Sequence, residues 1–164
     1  MLTVGIDPGQ QGAVVALDSV GSLWYWRIPL TVSKDLDHFA LRGILAQAKA
    51  LKHTSEPIHV YLERAMALAM GSSSALSYGR HFASIELAVT YEELPVTYVL
   101  PKEWNKVMFE GTSADLKPKV RAVIAVERLF PMLIDRIPKN KNGKLHEGIV
   151  DALLLAGYGV RRHK

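Results

Sequence analysis

Three strand-length segments crowd into the first 29 residues of this chain, and after them helix-length and strand-length segments alternate. In "LTVGID", Leu2, Val4 and Ile6 share one side of an extended chain, with Thr3, Gly5 and Asp7 on the other. Pro8 biases Asp7 toward extended geometry, and Pro8-Gly9 suits a tight turn. A second strand is predicted over 12–17, "GAVVAL", and a third over 22–29, "SLWYWRIP", with Ser19 to Gly21 turning between them. Apolar residues then recur at helical spacing over 36–52, and strand alternation returns over 57–63. A long helix is expected over 73–93 and a fifth strand over 94–100. Helices follow at 102–109, 115–129 and 145–160, with the basic loop "PKNKNGK" before the last. The order predicts an α/β fold with a five-stranded mixed central sheet flanked by helices.

At 164 residues the chain is expected to form a single domain over 1–164 with a substantial core. It shows no internal repeat, low-complexity tract or domain boundary. The absence of cysteine excludes disulfides, thiolate zinc sites and cysteine nucleophiles. No apolar run approaches the roughly 18–20 residues of a membrane helix, and no signal-peptide pattern opens the chain, so no membrane association and a cytosolic location are expected. The net charge of +4 is modest, but the basic residues gather after position 100, in "PKEWNK", "DLKPKVR", "RIPKNKNGK" and "RRHK". That local excess fits a phosphate backbone and fits a solvated surface equally well.

Function in open α/β sheets gathers at the carboxyl ends of strands, where both Asp7 and Glu63 fall. In "KLHEGIVDALLLAGYG", Glu147 and Asp151 are four apart and stack on one helical face within an otherwise apolar stretch. Like charges at this spacing repel mildly, and a divalent cation would turn the repulsion into ligation. Magnesium takes oxygen ligands and commonly one or two carboxylates, and two such ions can clamp an in-line phosphoryl displacement. Each acid has a plainer reading: Asp7 an Asx turn, Glu63 an ion pair with Arg64, and Glu147 with Asp151 a solvated pair. Their joint order on these elements favours metal chemistry.

Taken together these segments resemble the RuvC family of Holliday-junction resolvases, among the RNase H-like (retroviral-integrase-like) nucleases. "GIDPG" is similar to the family's first acidic motif, and "LERAMALAMGSSSALSYGRHFASIELA" to its second, an acid followed by a helix rich in small residues. "ELPVTYVLPKEWNKVM" and "GTSADLKPKV" resemble its later strand and lysine-bearing helices, and "HEGIVDALLLAGYG" its final acidic helix in the phage-type form. The resemblance covers nearly the whole chain.

It implies that Asp7, Glu63 and Asp151 are metal ligands. Several family members carry the partner acid or histidine three residues before the last Asp, where this chain has Gly148. Glu147, four before, is the expected substitute and His146 the reserve. Lys106 and Lys117 match family lysines near DNA or the active site, with Lys102 and Lys119 as neighbours able to replace them. Lys139, Lys141 and Lys144 of the basic loop are expected to touch backbone phosphates. Met66 stands where the family often has an aromatic used against bases at an opened junction.

Ala75, Gly79 and Ala83 would let another helix approach closely, and the resemblance makes that helix the seam of a homodimer; packing on the protein's own sheet is the alternative. The implied function is a junction endonuclease with two Mg²⁺ per site (Mn²⁺ substituting), acting on four-way junction DNA in a bacterial or phage-infected cytosol without a small-molecule cofactor. The rivals are an RNase H-like nuclease for flaps, other branched DNA or RNA, and a non-catalytic junction-binding protein.

Overall fold

The computed structural model describes residues 1–51, 56–64 and 71–163. Strands β1 (Leu2–Asp7), β2 (Ala13–Leu17) and β3 (Leu23–Arg27) form the expected meander. Helix α1 (His38–Ala50), β4 (Ile58–Glu63), α2 (Ser72–Tyr91) and β5 (Val96–Val99) follow. Helices α3 (Pro101–Met108), α4 (Pro118–Leu129) and α5 (Glu147–Arg162) complete the chain, with a 3-10 segment at Pro131–Arg136. The sheet order is β3-β2-β1-β4-β5, antiparallel within the meander and parallel from β1 to β4 to β5. Among the described residues no helix is long and apolar enough to cross a membrane.

The alternation in β1 decides the layering. Leu2, Val4 and Ile6 join a core with Leu41, Leu45 and Ala48 of α1 and Ile85 and Val89 of α2. On the opposite face, Ala13, Val15 and Tyr61 pack against α3, α4 and α5. Helix α5 lies deepest: from Gly148 to Gly159 every residue but Asp151 is buried. A Cβ on Gly5 would stand 2.1 Å from the Ala152 carbonyl oxygen, so only glycine lets α5 lie this close to β1. Gly148 does the same where α5 begins, because a Cβ there would fall 2.0 Å from the Gln11 carbonyl oxygen.

The element boundaries differ from the expected ones where local chemistry intervenes. Helix α4 begins at Pro118 rather than 115, since proline suits the first helical position with its fixed φ and missing N–H. The preceding Ser113–Leu116 segment is a turn, closed by the Leu116 N–H donating to the Ser113 carbonyl. Helix α1 starts at His38 because the Asp37 carboxylate caps it, accepting from the Ala40 N–H at 2.9 Å. Helix α2 stops at Tyr91, and Glu93 just beyond takes φ of 53°. The expected end of α1, Lys52, lies outside the described residues, as does Met66.

Candidate active site

Asp7 and Glu63 are the last residues of β1 and β4, and the parallel pairing of Ile6 with Leu62 sets them side by side. Adjacent strands run about 4.8 Å apart, so their side chains emerge as neighbours. Both belong to the face that α5 covers, since they alternate in phase with Gly5 and Tyr61. The close approach of α5 at Gly5 and Gly148 then brings Asp151 over the same strand ends.

Electrostatics reports the result. Burial raises the Asp151 carboxyl to about 8, with the charges of Asp7, Glu63 and Glu147 adding to the rise and Lys119 opposing it. Glu63 is raised to about 7 by burial and by Asp7, against a hydrogen bond from Trp104. Asp7 is raised by burial, and the Gly9 N–H holds it back. Four carboxylates thus share one field: Asp151 and Glu63 resist ionising near neutral pH, and Asp7 is shifted in the same direction.

Each acid except Asp151 has its own donor among the described residues. The Gly9 N–H donates to Asp7 Oδ1 at 3.1 Å, the Asx turn foreseen as the plainer reading. Trp104 Nε1 donates to Glu63 Oε1 at 2.9 Å. Lys119 Nζ meets Glu147 Oε2 at 2.5 Å at the rim, where the two side chains are 75% and 54% exposed. Among the described residues, no group of three acids or histidines is arranged to hold a metal ion. The donor set is nonetheless of the right kind: hard carboxylate oxygens on rigid elements, with no sulfur or imidazole among them, as a magnesium-like cation requires.

The lysines separate by position. Among the described lysines it is Lys119 that is drawn to the acids, and its ammonium is held charged above its usual range by Glu147 and, less, by Asp151. Lys117 occupies the N-cap position of α4, without a side-chain capping bond. Lys102 and Lys106 are exposed on α3, each two residues and so roughly 160–200° around the helix from buried Trp104. Lys139, Lys141 and Lys144 sit on an exposed hairpin closed by the Lys139–Leu145 bridge just before α5.

His146 takes a different part from the one expected of a helical residue. It is the N-cap of α5, its side chain accepting from the Ile149 N–H at 3.4 Å. Burial and nearby Arg27 lower its pKa, which keeps the ring neutral and able to accept. Gly148 cannot carry an acid, for the steric reason already given, which leaves Glu147 as the acid of that first turn.

Trp104 is the residue that sequence reading passed over. It is 4% exposed and packs edge-to-face on Phe109 with ring centroids 5.5 Å apart. Its only sequence signal was a tryptophan among polar residues on a short helix, which says nothing about its partner.

No family model matches the chain, and no curated protein matches it. Solved structures do. A structure of T. thermophilus RuvC in complex with a Holliday junction substrate superposes with a TM-score of 0.63 at 13% identity, covering 99% of this chain and 96% of that one. A second Thermus thermophilus RuvC structure gives a TM-score of 0.61 at 16% identity, covering 99% and 97%. At such identities the likeness is one of architecture, and it extends from end to end of both chains. The protein has a RuvC-like, RNase H-like α/β fold.

Proposed function

We propose that this protein is a metal-dependent endonuclease that resolves four-way DNA junctions by paired, symmetric nicks. The observation that carries the reading is the meeting of Asp7, Glu63 and Asp151 at the carboxyl ends of β1 and β4, in a field that disfavours three bare charges. Buried acids that repel one another are costly to keep without a cation to share. The end-to-end likeness to a RuvC bound to a Holliday junction supports the choice of substrate.

Asp7, Glu63 and Asp151 would hold two Mg²⁺ (or Mn²⁺), with Glu147 at the rim. Bound there, the ions supply an activated water and stabilise the departing oxygen. The water oxygen attacks phosphorus, the bond to the 3′ oxygen breaks, and a proton reaches that oxygen, leaving 5′-phosphate and 3′-hydroxyl ends. Lys119, already paired to Glu147 at the rim, would meet the scissile phosphate only by exchanging that partner. Lys117 and the hairpin lysines Lys139, Lys141 and Lys144 would hold flanking phosphates without reading sequence. Lys102 and Lys106 would serve the same strand farther out.

Helix α2 supports a homodimer. Gly79 and Ala83 are exposed rather than packed on the sheet, between Leu76 at 68% and Leu87 at 69% exposure. An isologous pairing there would present two sites to the two-fold junction.

The test uses end-labelled four-way junction, flap, linear duplex and single strand, with wild type and Asp7→Asn, in Mg²⁺ or EDTA. Symmetric, Mg²⁺-dependent nicks in the junction alone, lost in Asp7→Asn, are expected. Equal cutting of flaps would sink the substrate assignment, and tight binding without nicks would sink the enzyme.

A further inference from the structure

A groove of about 880 Å³ opens beside the carboxylates, between α4, the 3-10 segment and the hairpin that precedes α5. Glu147 and Lys119, the rim pair of the candidate active site, also line this groove, so the two are continuous. Its floor is aliphatic: Val120, Val123 and Ile124 from α4, Ile134 from the 3-10 segment and Leu145 from the hairpin. Its cations are Lys117 and Lys119 on one wall and Lys139 and Lys144 on the facing one. Two further acids, Glu127 and Asp135, also line it. On α4 the order is fixed by helix geometry, with Glu127 about 12 Å beyond Lys119.

We infer that this groove is a subsite for one unpaired nucleotide of the strand being cut. The inference rests on the nuclease reading above and extends it to what lies next to the scissile phosphate. A backbone phosphate at the acids leaves its neighbours within reach of Lys117, Lys119, Lys139 and Lys144. A nucleobase freed from its pair can then enter the aliphatic floor, where apolar walls replace the stack it has left. The volume falls within the 300–1,000 Å³ usual for a small-ligand site.

Duplex DNA cannot use such a groove, because its bases face inward, whereas a branch point offers bases whose unpairing costs least. The groove therefore gives the chain a way to prefer branched DNA. Its two acids add a chemical preference. Carboxylates accept hydrogen bonds from exocyclic amines, which cytosine, adenine and guanine carry and thymine lacks. A base bearing an amine is favoured at this position over thymine.

A protein partner is the competing occupant of any apolar groove. Four lysines lining the groove and its continuity with an acid cluster suited to phosphate chemistry argue for a polyanion instead. Glu147 is already paired to Lys119, which leaves the remaining lysines to an incoming phosphate.

The experiment places a single 2-aminopurine, itself an amine-bearing base, at each nucleotide around the branch of a four-way junction. Emission is read on binding in EDTA, so that no chemistry intervenes. One position is expected to brighten several-fold with wild type, and to lose most of that rise with Val123→Phe, which fills the groove. Val120→Phe, at a side chain already 45% exposed, repeats the test where Val123→Phe disturbs folding. Glu127→Gln with Asp135→Asn is expected to bring thymine to parity with the other bases in competition binding.

Equal emission at every position from wild type and both filled variants, with junction affinity retained, overturns the groove and leaves the nuclease reading standing. Failure of wild type to bind four-way, flapped or single-stranded DNA overturns both.

Discussion

Asp151 occupies the one partly exposed position in a buried stretch of helix, facing two other acids across strand ends, and its protonation is therefore a stability term. Asp151 and Glu63 are raised to about 8 and about 7 from ordinary values of 3.8 and 4.5. The folded protein thus binds more protons than the unfolded chain between those limits, and stability falls as pH rises through the folded values. In EDTA the melting temperature is expected to drop by several degrees between about pH 5 and 8.5, and Asp151→Asn to remove most of that slope while abolishing cleavage. A flat profile for wild type, read by thermal denaturation, would show that the acids do not share a field. Trp104 makes a second prediction at this scale. Trp104→Phe keeps a ring in the core but withdraws the N–H from Glu63, a hydrogen bond to a charged group worth about 1.5–3 kcal/mol. The expected outcome is a roughly tenfold or greater fall in cleavage rate with a changed Mg²⁺ half-saturation. Rescue by high Mg²⁺ alone would assign Trp104 to ligand geometry, and an unchanged Mg²⁺ response would reduce it to packing.

Helix α5 is the element on which the site depends, because it delivers Asp151 and its path is set by contacts smaller than a methyl group. Gly148→Ala would force a Cβ into the Gln11 carbonyl, a backbone atom that cannot swing away. Overpacking of this kind costs about 1–3 kcal/mol, and here it also moves the first turn of α5 off the strand ends. Cleavage is expected to fall much further than stability, measured as rate and melting temperature on the same preparation. Helix α2 gives the opposite contrast. A Cβ on Gly79 meets nothing within 4 Å, so Gly79→Ala is tolerated by the isolated chain and gains helix propensity of up to about 1 kcal/mol. If α2 forms the dimer seam, the same substitution weakens self-association while raising monomer stability. Sedimentation read beside thermal melting separates the two effects, and Leu87→Glu is expected to yield monomers outright.

At the scale of the whole molecule, the layers follow from alternation and the site follows from how the layers meet. Sequence periodicity placed the five strands and five α-helices of the described residues to within a few residues, because the spacing of apolar residues is a local property that each segment carries alone. Asp7 and Glu63 could be put at strand ends for the same reason, and Glu147 with Asp151 on one helical face. What pattern could not reach were bonds between distant segments. Trp104 and Glu63 are 41 residues apart, and Lys119 and Glu147 are 28 apart. Nothing in the spacing of "PKEWNK" distinguishes the tryptophan that turns inward from the lysines that turn out, since that depends on which face of a two-turn helix finds the core. Likewise His146 is a cap only because the hairpin before it ends there, and Gly148 is obligatory only because the Gln11 carbonyl lies beneath it. The chain by itself determined a mixed sheet with acids at the carboxyl ends of two of its strands. Only the packing of α3, α4 and α5 on that sheet decided which side chains those acids meet, because burial, proximity and the fields that raise their pKa values arise when segments far apart in sequence are brought together.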